Sequence, residues 1–440
     1  MAEVEGRQEI IRVAKEEAEV KAKSKVQSRT LAITKILGNC AAAKKAMLIY
    51  LPLVILLIIG LLHLVNIRPL IAPIEKLASE SLGTPVLIKE VRASLWPRPH
   101  LVLRNVSIGV NISQKIDTVN IVPDTSSLSE EVKVLKSLEL DGLKLEQENF
   151  GQPLQWISNL SKAQHLKVKQ IALKKIVLKI HDLELASFDG KVTLTDLSEL
   201  KSIVLITEDE TLAMQITLQG SGFDIAFTGT KWALPMNPKF VFSELKAKGT
   251  IKQSLIFFNQ IEAEIYGGSL TGKAALDWSN QWSLAGNFNL INANLPEILN
   301  AFGSTASVDG KLKLTGIFSC KSKLAAALTD TPEITANFTV QNGKINGVEL
   351  DRAVLSKSSQ SLAGDSTRFD KLTGSMKIKD GGYQYRQVVL KSDQFYAEGN
   401  VDINANQDIS GKINANLAAQ SRRLQARFDL SGKVNNVKQQ

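Results

Sequence analysis

The sequence predicts a mainly β protein: a long antiparallel sheet with a few short helices, preceded by one N-terminal transmembrane helix and a charged, helical cytoplasmic tail. Three observations predict it. Beyond about residue 84, apolar and polar residues alternate with period two. Pairs of Gly, Asn and Asp separate the alternating runs. Residues 46–65 read AMLIYLPLVILLIIGLLHLV, without a charge.

The tail, residues 1–45, holds ten Lys and Arg against six Glu, so it carries +4 of the chain's net +9. Within it, QEIIRVAKEEAEVKAKSKVQ is rich in helix formers but has only a thin apolar stripe of Ile10, Ile11, Val13 and Val20. A solvated helix or a partner-binding or membrane-surface helix fits that pattern. The next segment is the anchor, residues 46–66, with Leu48, Leu51, Val54, Leu57, Ile58 and Leu61 among its lipid-facing candidates. Twenty helical residues span roughly 30 Å, the thickness of a hydrocarbon core. Arg29, Lys35, Lys44 and Lys45 precede it, whereas only Arg68 and Lys76 follow closely. The positive-inside rule then places the tail in the cytoplasm and the long remainder across the membrane. The apolar run is too long for a signal peptide, and no A-x-A-like site follows.

After the anchor, IRPLIAPIEKLASESLG predicts a short helix that Gly83 stops. Strands follow. Met214, Ile216 and Leu218 alternate with Gln215, Thr217 and Gln219. Ile334, Ala336, Phe338 and Val340 alternate with Thr335, Asn337, Thr339 and Gln341. Val401 and Ile403 alternate with Asp402 and Asn404. Each such run has one apolar and one wet face. Asp189-Gly190, Gly267-Gly268, Asp309-Gly310, Asn342-Gly343, Asn346-Gly347 and Gly381-Gly382 are read as hairpin turns, which makes neighbouring strands antiparallel. Three further helices are expected at 153–163, 295–303 and 351–359. About fifteen to twenty strands at roughly 4.8 Å spacing give a sheet some 70–95 Å across. Three short helices cannot cover its apolar face. The sheet can close on itself, pack as a sandwich, or curl into a gutter whose lining meets an apolar ligand, and periodicity does not choose among the three.

The chemistry of an enzyme is not found. His63, His100, His165 and His181 sit in no metal-ligand spacing, so no metal is expected. G-x-S-x-G, a phosphate-binding glycine loop and H-E-x-x-H are all missing, so no catalytic residue and no cofactor are assigned. Without a Lys/Arg block, nucleic acid is excluded as a partner. Cys40 and Cys320 fall on opposite sides of the membrane and cannot pair, so the sheet must hold without disulfides. The row Lys167, Lys169, Lys174, Lys175 and Lys179 reads as a solvated strand face or a guarded edge. A site for anionic headgroups is the alternative.

Ordered local motifs carry a resemblance. SLGTPVLIKEVRASLWPRPHLVLRNVSIG (81–109) resembles the start of the periplasmic part of the AsmA family, through Gly83, Val86, Val91, Leu95, Pro97, Leu101, Leu103, Val106 and Ile108. IYGGSLTGKAALDW (265–278) is similar to the family's recurring Tyr-Gly-Gly-x-Leu-x-Gly strand pair. SVDGKLKLTGIFS, FTVQNGKINGVELDRAV and FDKLTGSMKIKDGG resemble its C-terminal region in order and spacing. The likeness covers about residues 46–110 and 260–420, leaving 111–260 without a motif. It implies an AsmA-like N-terminal region over 67–300 and an AsmA-like C-terminal region over 301–440. It also implies a β-groove fold, an anchor in the bacterial inner membrane, a periplasmic bulk, and a part in phospholipid movement or outer-membrane assembly.

The expected function is therefore non-enzymatic. Phospholipid acyl chains would lie in a trough lined by Met214, Ile216, Leu218, Ile334, Ala336, Phe338, Val340, Val401 and Ile403. The alternative is a structural or assembly factor with outer-membrane assembly proteins as partners.

Overall fold

Period-two alternation becomes strand along nearly all of the chain. The computed structural model describes residues 68–439, apart from 95–97, 110–113, 181, 196–198, 220–221, 305, 357–362, 420–421 and 434–435. The tail and the anchor, with Leu48, Leu51, Val54, Leu57, Ile58 and Leu61, lie outside the described residues, as does His181. Among the described residues no helix is long and apolar enough to cross a membrane.

Those residues form 24 strands of one sheet, more than the sequence suggested. Chain order is nearly sheet order. Strand Val86–Ser94 pairs with His100–Ile108, and that strand with Gln114–Pro123. From Phe188–Leu194 to Asn436–Gln439 every strand pairs antiparallel with the next. The sheet runs unbroken across residue 300, since Trp282–Asn294 pairs with Val308–Ser322.

One step departs from the expected antiparallel order. Strands Lys133–Asp141 and Lys144–Glu146 pair parallel with Leu166–Val168 and Ile171–Ile180, so the sheet is mixed. Parallel neighbours need a crossover, and the predicted helix at 153–163 supplies it.

Four α-helices accompany the sheet among the described residues: α1 (Ile71–Leu82), α2 (Gln152–Lys162), α3 (Leu295–Ala301) and α4 (Leu350–Ser356). Gly83 ends α1 in the left-handed region at φ 68°, where it returns an N–H to the Ser79 carbonyl. Pro153 and Pro296 lie in the first turns of α2 and α3, where a missing N–H does no harm. Asn159 of α2 donates to the Leu82 carbonyl at 2.8 Å, joining the two N-terminal helices.

The turn signals require a correction. The turns expected at Gly267-Gly268 and Gly381-Gly382 lie one residue earlier, at Tyr266-Gly267 and Asp380-Gly381, with positive φ at all four residues, while Gly268 and Gly382 begin the next strands. Asp189-Gly190, Asp309-Gly310, Asn342-Gly343 and Asn346-Gly347 lie inside strands instead. For the last three the physical reason is that positive φ, seen at Gly310, Asn342 and Gly347, serves an irregular strand as well as a primed hairpin turn. Asn342 has φ 51° and shares strand Glu333–Val348 with Gly343. Asn105, Lys175, Asn292 and Gln387 repeat this conformation in strands separated by one or more neighbours. Such bulges increase local twist and curl a sheet toward one side.

Candidate apolar groove

The strand register aligns the apolar positions into rows that run across the sheet. One row begins Val91, Leu103, Val119, Leu140, Leu173, each directly opposite the next. It continues Gly190, Leu205, Met214, Phe227, Ala247, Ile261. Gly272, Phe288, Gly316, Ala336, Met376, Tyr385 and Val401 complete it. No member carries a charge. A second row joins Ile216, Ile225, Gly249, Phe258, Ala274 and Gly286 to Phe318, Ile334, Ile378, Tyr383 and Ile403. Because directly opposed residues share a face, both rows lie on the same side of the sheet.

Exposure divides this face into three parts. At the N-terminal end Val91, Leu103, Val119, Ile171, Val192 and Ile203 are all buried. Helices α1 and α2 accompany that end. At the C-terminal end Leu350 and Val354 of α4 pack with Val340, Phe369, Phe395, Phe428 and Leu430 in a core cluster. Between them Met214, Phe227, Phe258, Ile261, Phe288, Phe318, Phe338 and Tyr383 are only half-buried. This middle part covers ten strands, Leu212–Gln219 to Gly382–Lys391. Nine spacings of about 4.8 Å make it roughly 43 Å long, more than the hydrocarbon thickness of a bilayer. The opposite face of the same strands is polar: Lys246, Lys248, Glu262, Thr271, Asn287, Thr315 and Asn337 are exposed.

Small residues keep the floor shallow. Phe288 lies between Gly272 and Gly316, and Phe258 between Gly249 and Ala274. A ring beside a glycine covers backbone that would otherwise be bare. Tyr385 meets Phe338 edge-on with centroids 6.1 Å apart. Burial, with Tyr383 adding to it, pushes the Tyr385 hydroxyl up to about 12. Burial also raises the Cys320 thiol above its ordinary value.

Residues 208–388 match the AsmA family. The match spans less than half of the chain. It coincides with most of the half-buried middle part of the apolar face, and it begins well upstream of residue 260, where the recognisable motifs start. No curated protein and no solved structure matches the chain. For AsmA sequence the implied role is lipid transport or outer-membrane assembly, and a groove-like β-sheet suits either.

The nine residues proposed from sequence all share the apolar face of this sheet. Met214, Ala336 and Val401 fall on the first row, and Ile216, Ile334 and Ile403 on the second. Their exposures differ. Leu218 is 44% exposed, Phe338 and Met214 are half-buried, but Ile216, Ala336 and Val340 are 8%, 3% and 2% exposed. These last three therefore belong to the protein core and offer little surface to a ligand. The half-buried rings Phe227, Phe258, Phe288 and Phe318 were missed. For Phe227, Phe288 and Phe318 the signal was present as an aromatic placed two residues from a glycine within an alternating run, such as Gly286-Asn-Phe288; Phe258 had no such neighbour.

The lysine row lies on the polar face and is largely paired. Lys174 meets Glu139 at 2.9 Å, Lys179 meets Glu146 at 3.2 Å and Lys169 meets Asp124 at 3.7 Å. The Lys175 backbone N–H donates to Asp189 Oδ1 at 2.8 Å, fixing a bulge. Among the described residues no three His, Cys, Asp or Glu side chains are grouped to hold a metal. A hollow of about 260 Å³ lined by Arg98, His100, Asn120 and Glu139 lies on the polar face, away from the groove.

Proposed function

We propose that this protein is a non-enzymatic, inner-membrane-anchored lipid handler whose groove takes phospholipid acyl chains, with its tail in the cytoplasm and its sheet in the periplasm. The observation that carries the reading is the pair of unbroken apolar rows, whose aromatic members are only half-buried across ten strands although α3 and residues 323–332 pack on parts of the same face. Each buried CH₂ contributes about 0.8 kcal/mol, so a chain is retained without any specific contact. Headgroups stay in water, and a tail moves from one equivalent position to the next along the rows. No bond is made or broken in such transfer, and no cofactor takes part.

The test is lipid extraction and mass spectrometry of the full-length protein purified in a mild detergent. Phospholipid in stoichiometric amount supports the groove reading. A lipid-free protein that retains an outer-membrane protein partner supports the assembly-factor alternative.

A further inference from the structure

Residues 323–332 connect strand Val308–Ser322 to strand Glu333–Val348 at one rim of the groove, the rim that also carries Trp278 and Trp282. They belong to no strand. Turn hydrogen bonds hold them, Leu328 N–H to the Ala325 carbonyl and Asp330 N–H to the Ala327 carbonyl. Yet Ala325 and Leu328 are 0% and 1% exposed. Their partners come from both rims. Trp282, Cys320, Leu276, Leu284 and Phe318 belong to the near rim and floor.

Ile180, Leu183 and Met236 belong to the opposite rim, at the far ends of strands Ile171–Ile180 and Gly222–Ala233. Two polar contacts reach the same rim: Ala326 N–H donates to Asp182 Oδ2 at 2.7 Å, and the Thr329 hydroxyl donates to the Asn237 carbonyl. These pairs are 144 and 92 residues apart in the chain. Only a curled sheet brings them together.

We propose that residues 323–332 form a clasp that closes the mouth of the groove and must release for a lipid tail to enter sideways. The inference rests on the lipid reading above and adds its regulation. Among the described residues no backbone ladder joins the clasp to the far rim, so its release breaks these two hydrogen bonds and one small apolar cluster while the sheet stays intact. Local opening of that kind is far cheaper than unfolding. Cys320, 4% exposed beneath the clasp, is a built-in reporter of release.

The first experiment is independent of lipid. In the full-length Cys40→Ser chain, Cys320 is the remaining thiol, and its native-state reaction with a maleimide is timed. Asp182→Ala is expected to accelerate labelling about tenfold, the scale of one lost charge-assisted hydrogen bond, with the melting temperature kept. Labelling unchanged by Asp182→Ala, or accelerated only in step with global unfolding, overturns the clasp.

The second experiment locks it. Asp182→Cys and Ala326→Cys are combined with Cys40→Ser and Cys320→Ser, and uptake of a fluorescent phospholipid from vesicles is followed. Oxidation is expected to slow uptake at least fivefold, and reduction to restore it. Failure of the pair to form a disulfide overturns the contact itself. Equal uptake in both states overturns the gate and leaves the groove reading standing. No uptake in either state removes the groove reading and the gate together.

Discussion

The ring of Phe338 lies against Gly374 on the neighbouring strand. A Cβ added at Gly374 would come 2.8 Å from Phe338 Cζ and 3.0 Å from Cε1. The two residues are direct register partners, and Phe338 is in turn opposite Leu314. The glycine is therefore part of how the floor is shaped. Its missing side chain lets the aromatic ring lie down along the sheet, toward Tyr385.

Gly374→Ala forces a contact about 0.6 Å or more inside van der Waals distance, against a ring held by Tyr385. Ordinarily Gly→Ala in a strand stabilises slightly, by about 0.5–1 kcal/mol through chain entropy. Overpacking costs about 1–3 kcal/mol and wins here. Urea unfolding is expected to show the loss. Adding Phe338→Leu should return part of it, with a coupling of about 1 kcal/mol in the double-mutant cycle. Additive effects would show that the ring and the glycine do not share space.

Phe288 and Ile317 test which face carries lipid, because they lie on adjacent strands but face opposite ways. Phe288 is opposite Gly316 on the apolar face, whereas Ile317 is opposite Asn287 and 61% exposed on the polar one. Phe288→Asp places a charge mid-row and is expected to remove most co-purified phospholipid. Ile317→Asp should leave both lipid content and melting temperature unchanged. Equal loss in both variants, measured by mass spectrometry of extracted lipid, would detach lipid from the groove.

Lys174 and Glu139 form a cross-strand pair on the polar face. The Lys174 hydrogen bond and charge lower the Glu139 carboxyl from its ordinary 4.5, and Glu139 raises Lys174 above 10.5. The depressed carboxylate adds stability above 4.5 that fades as pH falls through its folded-state value. The raised lysine adds stability below 10.5 that fades as pH rises through its folded-state value. Both groups are partly solvated, so the contribution at pH 7 is well under about 1 kcal/mol. Glu139→Gln is expected to lose that small amount at neutral pH and to match the parent chain in acid, by urea titration at both pH values. Lys174→Gln should leave lipid content unchanged, since this lysine is engaged with Glu139.

Much of the fold was legible because alternation survives wherever one face is dry. Met214 to Leu218 and Ile334 to Val340 could be placed on one face from sequence, since period two leaves no other arrangement. The bulges were not distinguishable from turns: Asn342-Gly343 needs a positive φ in either role, and only the register decides. The parallel crossover was hidden because Lys144–Glu146 and Leu166–Val168 are three residues each, too short to show a period. The contact of Asp182 with Ala326 had no local signal at all. It depends on how far the sheet curls, a property summed over many strands. The distinction between Val340 as core and Phe338 as lining depended likewise on α4, whose packing no single strand reveals.

Ser79 and Glu75 show how the sheet's first edge is managed, and they support a final prediction. Among the described residues, strand Val86–Ser94 has a strand partner on one side only. On its other side α1 offers two side chains: Val86 N–H donates to Ser79 Oγ at 3.0 Å and Ile88 N–H to Glu75 Oε1 at 2.6 Å. An edge strand with free N–H groups is a template for pairing with another chain. Side-chain acceptors blunt it at the place where the chain enters the sheet. Glu75→Ala with Ser79→Ala leaves both donors without these partners at a cost of about 1–3 kcal/mol each if water cannot reach them. The double variant is therefore expected to melt several degrees lower and to self-associate in size-exclusion chromatography at concentrations where the parent chain does not. Glu75→Gln, which keeps an acceptor oxygen, should behave like the parent in both measurements. A double variant that stays as monodisperse as the parent would show that α1 covers this edge by bulk alone.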